Sequence, residues 1–221
     1  MALTFVQAVN NEPNGTSISL TYPFGTTLGS FLLVYGRFTT GSGTIGISDT
    51  LGNTWHGLIA NGGTDFLYWA NNAGSGADTV TVTTTAASGL IVGFGVEYTG
   101  QLASSPIDFV GSNFSATGTS VVIGPSTANY TNETFIVPLY PDSQSVTTTG
   151  STTLRSPGRY LVAMDLSTTS VGPYTATATL GSSTYWSAFN IGVKSTTSVS
   201  PSASSSWMTV ALANSLRGLR H

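Results

Sequence analysis

The chain has 221 residues, of which 40% are apolar and only 7% charged, with a formal net charge of −3 and no cysteine. Six Lys and Arg, two of them Arg217 and Arg220 near the end, cannot line a phosphate-neutralising face, so nucleic acid is not an expected partner. The absence of Cys excludes a disulfide framework and thiol chemistry, and no run reaches the roughly 18 apolar residues of a membrane span.

Strand signals recur along the chain with turn residues between them. Leu3–Val9 opens; Met1–Gln7 shows no basic and apolar leader, so no secretory signal is expected. In Thr16–Tyr22, Ile18, Leu20 and Tyr22 alternate with Ser17, Ser19 and Thr21, and Pro23-Phe24-Gly25 ends the run. Ser30–Phe38 is nearly all apolar, the pattern of a strand buried on both faces. Thr44–Ser48, Thr54–Ile59, Phe66–Ala70, Thr79–Thr85 and Leu90–Tyr98 follow. Ile107–Phe114, Ser120–Ile123, Glu133–Leu139, Val146–Thr153, Tyr160–Leu166, Tyr174–Leu180 and Tyr185–Val193 continue the style. About twelve to fourteen strands and no sustained helical period predict an all-β fold: one antiparallel two-sheet sandwich, jelly-roll-like, over residues 1–194. No fixed-period repeat is visible. Residues 195–206 read as a Ser/Thr/Pro linker, and 207–221 as a C-terminal arm in which Trp207, Met208, Leu212, Leu216 and Leu219 supply apolar contacts to a neighbouring subunit.

Two segments are distinctive: Ile47-Ser48-Asp49-Thr50-Leu51-Gly52-Asn53-Thr54-Trp55, and the run from Tyr68-Trp69-Ala70-Asn71-Asn72 to Asp78-Thr79-Val80-Thr81-Val82. With Leu3–Gln7 and Tyr174–Leu180 they resemble a β-sandwich module of phage virion and tail proteins and of repetitive bacterial surface proteins, over about residues 3–193. The resemblance implies a sandwich in a virion or extracellular, cell-surface setting, and brings no catalytic residues with it.

The chemistry-bearing inventory is sparse. No predicted strand carries two carboxylates on one face, as a glycosidase would want, and Glu97, at the end of a buried run, reads as a satisfied structural carboxylate. Two histidines, His56 and His221, cannot build a zinc site, and Asp49 with Asn53 falls short of a calcium shell, so neither metal nor cofactor is expected. Adjacent aromatics are the candidates for ligand binding: Trp55 with His56, Tyr68 with Trp69, and Tyr185 with Trp186, one member of each pair facing out. The sequence therefore predicts a non-catalytic structural or adhesive protein, a head decoration or tail component of a phage or a bacterial surface module, working as a homo-oligomer or with other protein subunits. A carbohydrate-binding module contacting surface glycans is the first alternative, and a glycoside hydrolase the second.

Overall fold

The computed structural model describes residues 3–40, 43–87, 89–111, 114–157 and 160–200. Their regular secondary structure is almost entirely strand, as expected. The order is β1 (Thr4–Asn11), β2 (Asn14–Gly15), β3 (Ser17–Thr21), β4 (Phe31–Phe38), β5 (Ile45–Asp49), β6 (Trp55–Ala60), β7 (Asp65–Ala70), β8 (Thr79–Thr84) and β9 (Gly89–Thr99). Then come β10 (Ile107–Val110), β11 (Phe114–Ala128), β12 (Glu133–Tyr140), β13 (Val146–Thr148), β14 (Thr153–Pro157), β15 (Val162–Ser167), β16 (Gly172–Ala188) and β17 (Ile191–Lys194). Several expected boundaries moved: Ile107–Phe114 ends at Val110 as β10, and Phe114 opens β11, which also takes in Ser120–Ile123. Val146–Thr153 breaks into β13 and the start of β14, whereas Tyr174–Leu180 and the first residues of Tyr185–Val193 join in one long strand, β16.

The sandwich class is as expected, but in place of one jelly-roll-like sandwich over residues 1–194 there are two. In the first half a sheet ordered β1-β9-β4-β7-β6 lies over a sheet ordered β3-β8-β5. In the second half the order β10-β17-β12-β15-β14 is the same, strand for strand, and β11-β16-β13 matches β3-β8-β5. The second pair is continuous at one corner, because the end of β16 crosses over to pair with β12 at Leu139 and Tyr140. The repeat escapes a sequence search because it lives in turn positions and inward alternation, which many residues satisfy.

The two repeats stack back to back through their larger sheets. β4 packs on its counterpart β12, and β1 packs on β14, the opposite edge of the facing sheet, as a two-fold axis along the strands would place them. This explains the apolar runs. In β4, Leu33 and Tyr35 enter the core between the repeats, while Leu32 and Val34 enter the core of the first sandwich beside Ile18, Leu20, Val80 and Val82. In β12, Ile136 faces the joint, while Val137 and Leu139 face the second sandwich core with Met164 and Ala178. The fit at Gly36 is close enough that a Cβ there would sit 2.5 Å from the Val92 carbonyl oxygen and inside the Phe66 ring.

Each repeat also sets an Arg–Asp pair against aromatics of the other. Arg37 pairs with Asp65 at 2.9 Å and its guanidinium lies 4.9 Å from the ring centres of both Tyr140 and Tyr185. Arg155 pairs with Asp165 at 2.7 Å and lies 5.5 Å from the Phe5 ring, while the buried Tyr98 hydroxyl donates to Asp165 at 3.0 Å. Burial, and then the Asp165 charge, push the Tyr98 phenol well above its usual range, so it stays a donor.

Because the joint is one continuous apolar layer, calorimetry is expected to show a single transition for the two repeats. Tyr98→Phe, which removes the donor to Asp165, is expected to cost about 1–2 kcal/mol and lower that one transition by a few degrees. Two separate melts would contradict the shared core.

Candidate functional site

The members of each aromatic pair point to opposite faces, but in Tyr68–Trp69 and Tyr185–Trp186 both faces are packed, and the pairs do not gather. Trp55 leans on the first sandwich core, and its indole N–H donates to Asp49 at 2.6 Å. Asp49 also accepts from the backbone of Leu51 and Asn53, so the distinctive 47–55 segment is a carboxylate-pinned turn. Tyr68 is buried and donates to the Ile45 carbonyl. Trp186 is buried in the second sandwich core. Tyr185 packs at the joint, where its hydroxyl meets Asn61 at 3.1 Å and Arg37 at 3.5 Å. His56, exposed on edge strand β6, stacks on half-buried Trp69 with centroids 5.9 Å apart. His56 is the one exposed member of the three pairs. Trp207, Met208, Leu212, Leu216 and Leu219 lie outside the described residues.

The carboxylates serve the scaffold. Asp65 and Asp165 hold the two arginines. Asp142 accepts from Tyr140 and Thr184, Asp78 from Thr50, and Asp108 from Asn129. Among the described residues no three His, Cys, Asp or Glu side chains converge as a metal site would need, and no helix is long and apolar enough to cross a membrane. Glu133 is fully buried, with Asp108, Lys194 and Tyr130 around it; burial, then Asp108, push its carboxyl up to about 8, against the pull of Lys194.

The surface itself has two characters. On the outer face of the β3-β8-β5 sheet, Ser17, Thr83 and Gly46 form one cross-strand row, and Ser19, Thr81 and Ser48 the next. The opposite outer face repeats this with Ser120, Thr179 and Thr147, and with Val122, Thr177 and Thr149. Both broad faces are thus uncharged and mostly hydroxyl, with exposed Val122 in one row.

The second character is a loop that sequence reading missed. Between β3 and β4, Phe24 is 74% and Leu28 76% exposed, the two most exposed large apolar side chains among the described residues. Their backbone is nonetheless tightly held. Gln7 grips Phe24 at both ends, accepting from its N–H at 3.0 Å and donating to its carbonyl at 3.2 Å. Gln7 also donates to Glu97 at 2.6 Å, and the other Glu97 oxygen accepts from the Thr27 N–H at 2.6 Å. Thr26 pairs with Gly76 in both directions, and Gln101 donates to the Gly29 carbonyl. Glu97 and Gln7, almost entirely buried, therefore hold rigid a loop that points two apolar side chains at solvent. Glu97 is the satisfied structural carboxylate that its place in the sequence suggests. The overlooked signal was Phe24 and Leu28 themselves, apolar residues inside a Pro/Gly turn.

No family model, no curated protein and no solved structure matches this chain.

Two outcomes follow from these contacts. Glu97→Leu strands the Thr27 N–H and the Gln7 amide, and is expected to cost about 2–3 kcal/mol and to speed amide exchange at Thr27 more than in β9. An unfolded Glu releases its proton at about 4.3, whereas folded Glu133 keeps it to about 8, so the folded state binds more protons in between. Its contribution to stability therefore falls as pH rises from about 4.5 to 8 and levels off above. Melting temperatures of Glu133→Gln should be flatter than the parent's over that window.

Proposed function

We propose that this protein is a non-catalytic structural or adhesive module of a larger protein assembly, of the kind carried on a phage virion as a decoration or tail component, or on a bacterial surface. The observation that carries this reading is the clamped loop: a buried Gln–Glu pair fixes a backbone that presents Phe24 and Leu28 outward. A solvent-facing Phe and Leu on a pre-ordered loop lose little entropy on docking and bring apolar area whose burial is favourable. The hydroxyl ladders support the same reading, since they give broad faces that hydrogen-bond without desolvating charge. The engagement of Asp49, Asp65, Asp78, Glu97, Asp142 and Asp165 in structural hydrogen bonds favours it over glycoside hydrolysis.

Sedimentation of the full chain between about 1 and 100 μM is expected to show species heavier than the 22.7 kDa monomer, with no release of reducing ends from polysaccharides. Turnover abolished by one carboxylate substitution would refute the reading. A second reading, glycan binding, is favoured by His56 stacked on Trp69 at the exposed edge. It requires glycan-array labelling that Trp69→Ala removes.

A further inference from the structure

The two repeats treat one loop differently. The connection between β3 and β4, Tyr22–Ser30, corresponds by topology to the connection between β11 and β12, Asn129–Asn132. In the second repeat the chain that follows β17 covers this loop. Asn132 Nδ2 donates to the Thr197 carbonyl at 3.1 Å, Ser198 Oγ to the Asn132 carbonyl at 3.0 Å, and the Thr131 N–H to the Val199 carbonyl at 3.0 Å. In the first repeat the chain that follows β9 meets the loop's end, through Gln101 on Gly29, before it crosses into the second repeat, and Phe24 and Leu28 stay bare among the described residues.

We propose that the bare loop is the receptor for the C-terminal arm of a second copy of this chain, with Phe24 and Leu28 receiving apolar side chains from 207–219. The inference rests on the assembly reading and names its contact. Three observations lead to this occupant. The molecule already covers the equivalent loop with chain from its own C-terminal end. The described chain stops at Ser200, and the 21 residues beyond it carry Trp207, Met208, Val210, Leu212, Leu216 and Leu219. The chain also starts this stretch beside its own loop and then leaves it. Thr196 donates to the Gly100 carbonyl next to Gln101, but by Val199 the chain is pinned on Thr131 of the second repeat. Pro201–Ser206 then adds at most about 20 Å before Trp207.

The test uses full-length chains: the parent, a loop variant (Phe24→Ser with Leu28→Ser) and an arm variant (Trp207→Ser with Leu212→Ser). Sedimentation equilibrium reads self-association, and melting temperature reads the fold. The parent is expected to self-associate, and each variant to do so at least about thirtyfold more weakly, the loss typical of removing central apolar anchors. An equimolar mixture should recover a one-to-one complex, because the arm variant keeps an intact loop and the loop variant an intact arm. Should the loop variant unfold, the arm variant alone still decides whether the arm carries association. Parent-like association of either variant overturns the inference and leaves the assembly reading standing. A monomeric parent overturns the inference and removes self-assembly from that reading as well. Trp207 fluorescence that is quenched from solvent in a monomeric parent, and released in the loop variant, would place the arm on its own loop and overturn the exchange.

Discussion

The face-to-face packing of the β1-β9-β4-β7-β6 sheet on the β10-β17-β12-β15-β14 sheet sustains everything else in this molecule. It buries one face of β4 and of β12 while the sandwich cores bury the other, so those strands can be largely apolar, and it makes one body of two sandwiches that would each expose a greasy sheet alone. Its flanks are electrostatic. Arg37 with Asp65 and Arg155 with Asp165 each neutralise a partly buried charge and lay a cation over the other repeat's aromatic rings. Tyr35 adds a buried hydrogen bond across the joint, donating to the Ser187 carbonyl at 3.3 Å.

A chain this poor in charge uses each ionisable group sparingly. Hydroxyl rows do on the outer faces what Lys and Glu do on ordinary sheets: they keep the surface wet and the edges unattractive to apolar contact. The carboxylates are left for positions where nothing else serves. Asp49 closes a turn with three donors, and Glu97 reaches from a buried strand to fix a loop.

The fold class was legible because alternation in residues such as Ile18, Leu20, Val80 and Val82 is a direct imprint of one buried face. The doubly buried character of Ser30–Phe38 was legible for the same reason. The duplication was not, since strand order depends on which strands pair, and pairing between residues as distant as Phe5 and Tyr98 leaves no local trace. The aromatic pairs were legible as alternating residues and misleading as a site: their neighbours in space, Asp49, Ile45 and Arg37, come from other strands and draw most of them into the scaffold. Phe24 and Leu28 carry no periodic pattern, since Phe24 stands in the Pro/Gly turn that ends a strand and Leu28 stands alone. What distinguishes them is Gln7 and Glu97 beneath, contributed by strands far away in sequence.

The register fixes a polarity for the whole molecule. Thr4 pairs with Thr99, and Gln101 bridges Ser195, so the start of β1 and the stretch leaving β17 emerge at one pole, together with the Phe24 loop. The other pole carries the turns around Asn61 and Asp142, tied to Tyr185 and Thr184. Anything joined through either of those emerging stretches therefore mounts the molecule by the same end, and the far turns stand outward like the head of a nail. A host surface fused at this footing would display the Asn61 and Asp142 turns at a constant height, about one strand length above it.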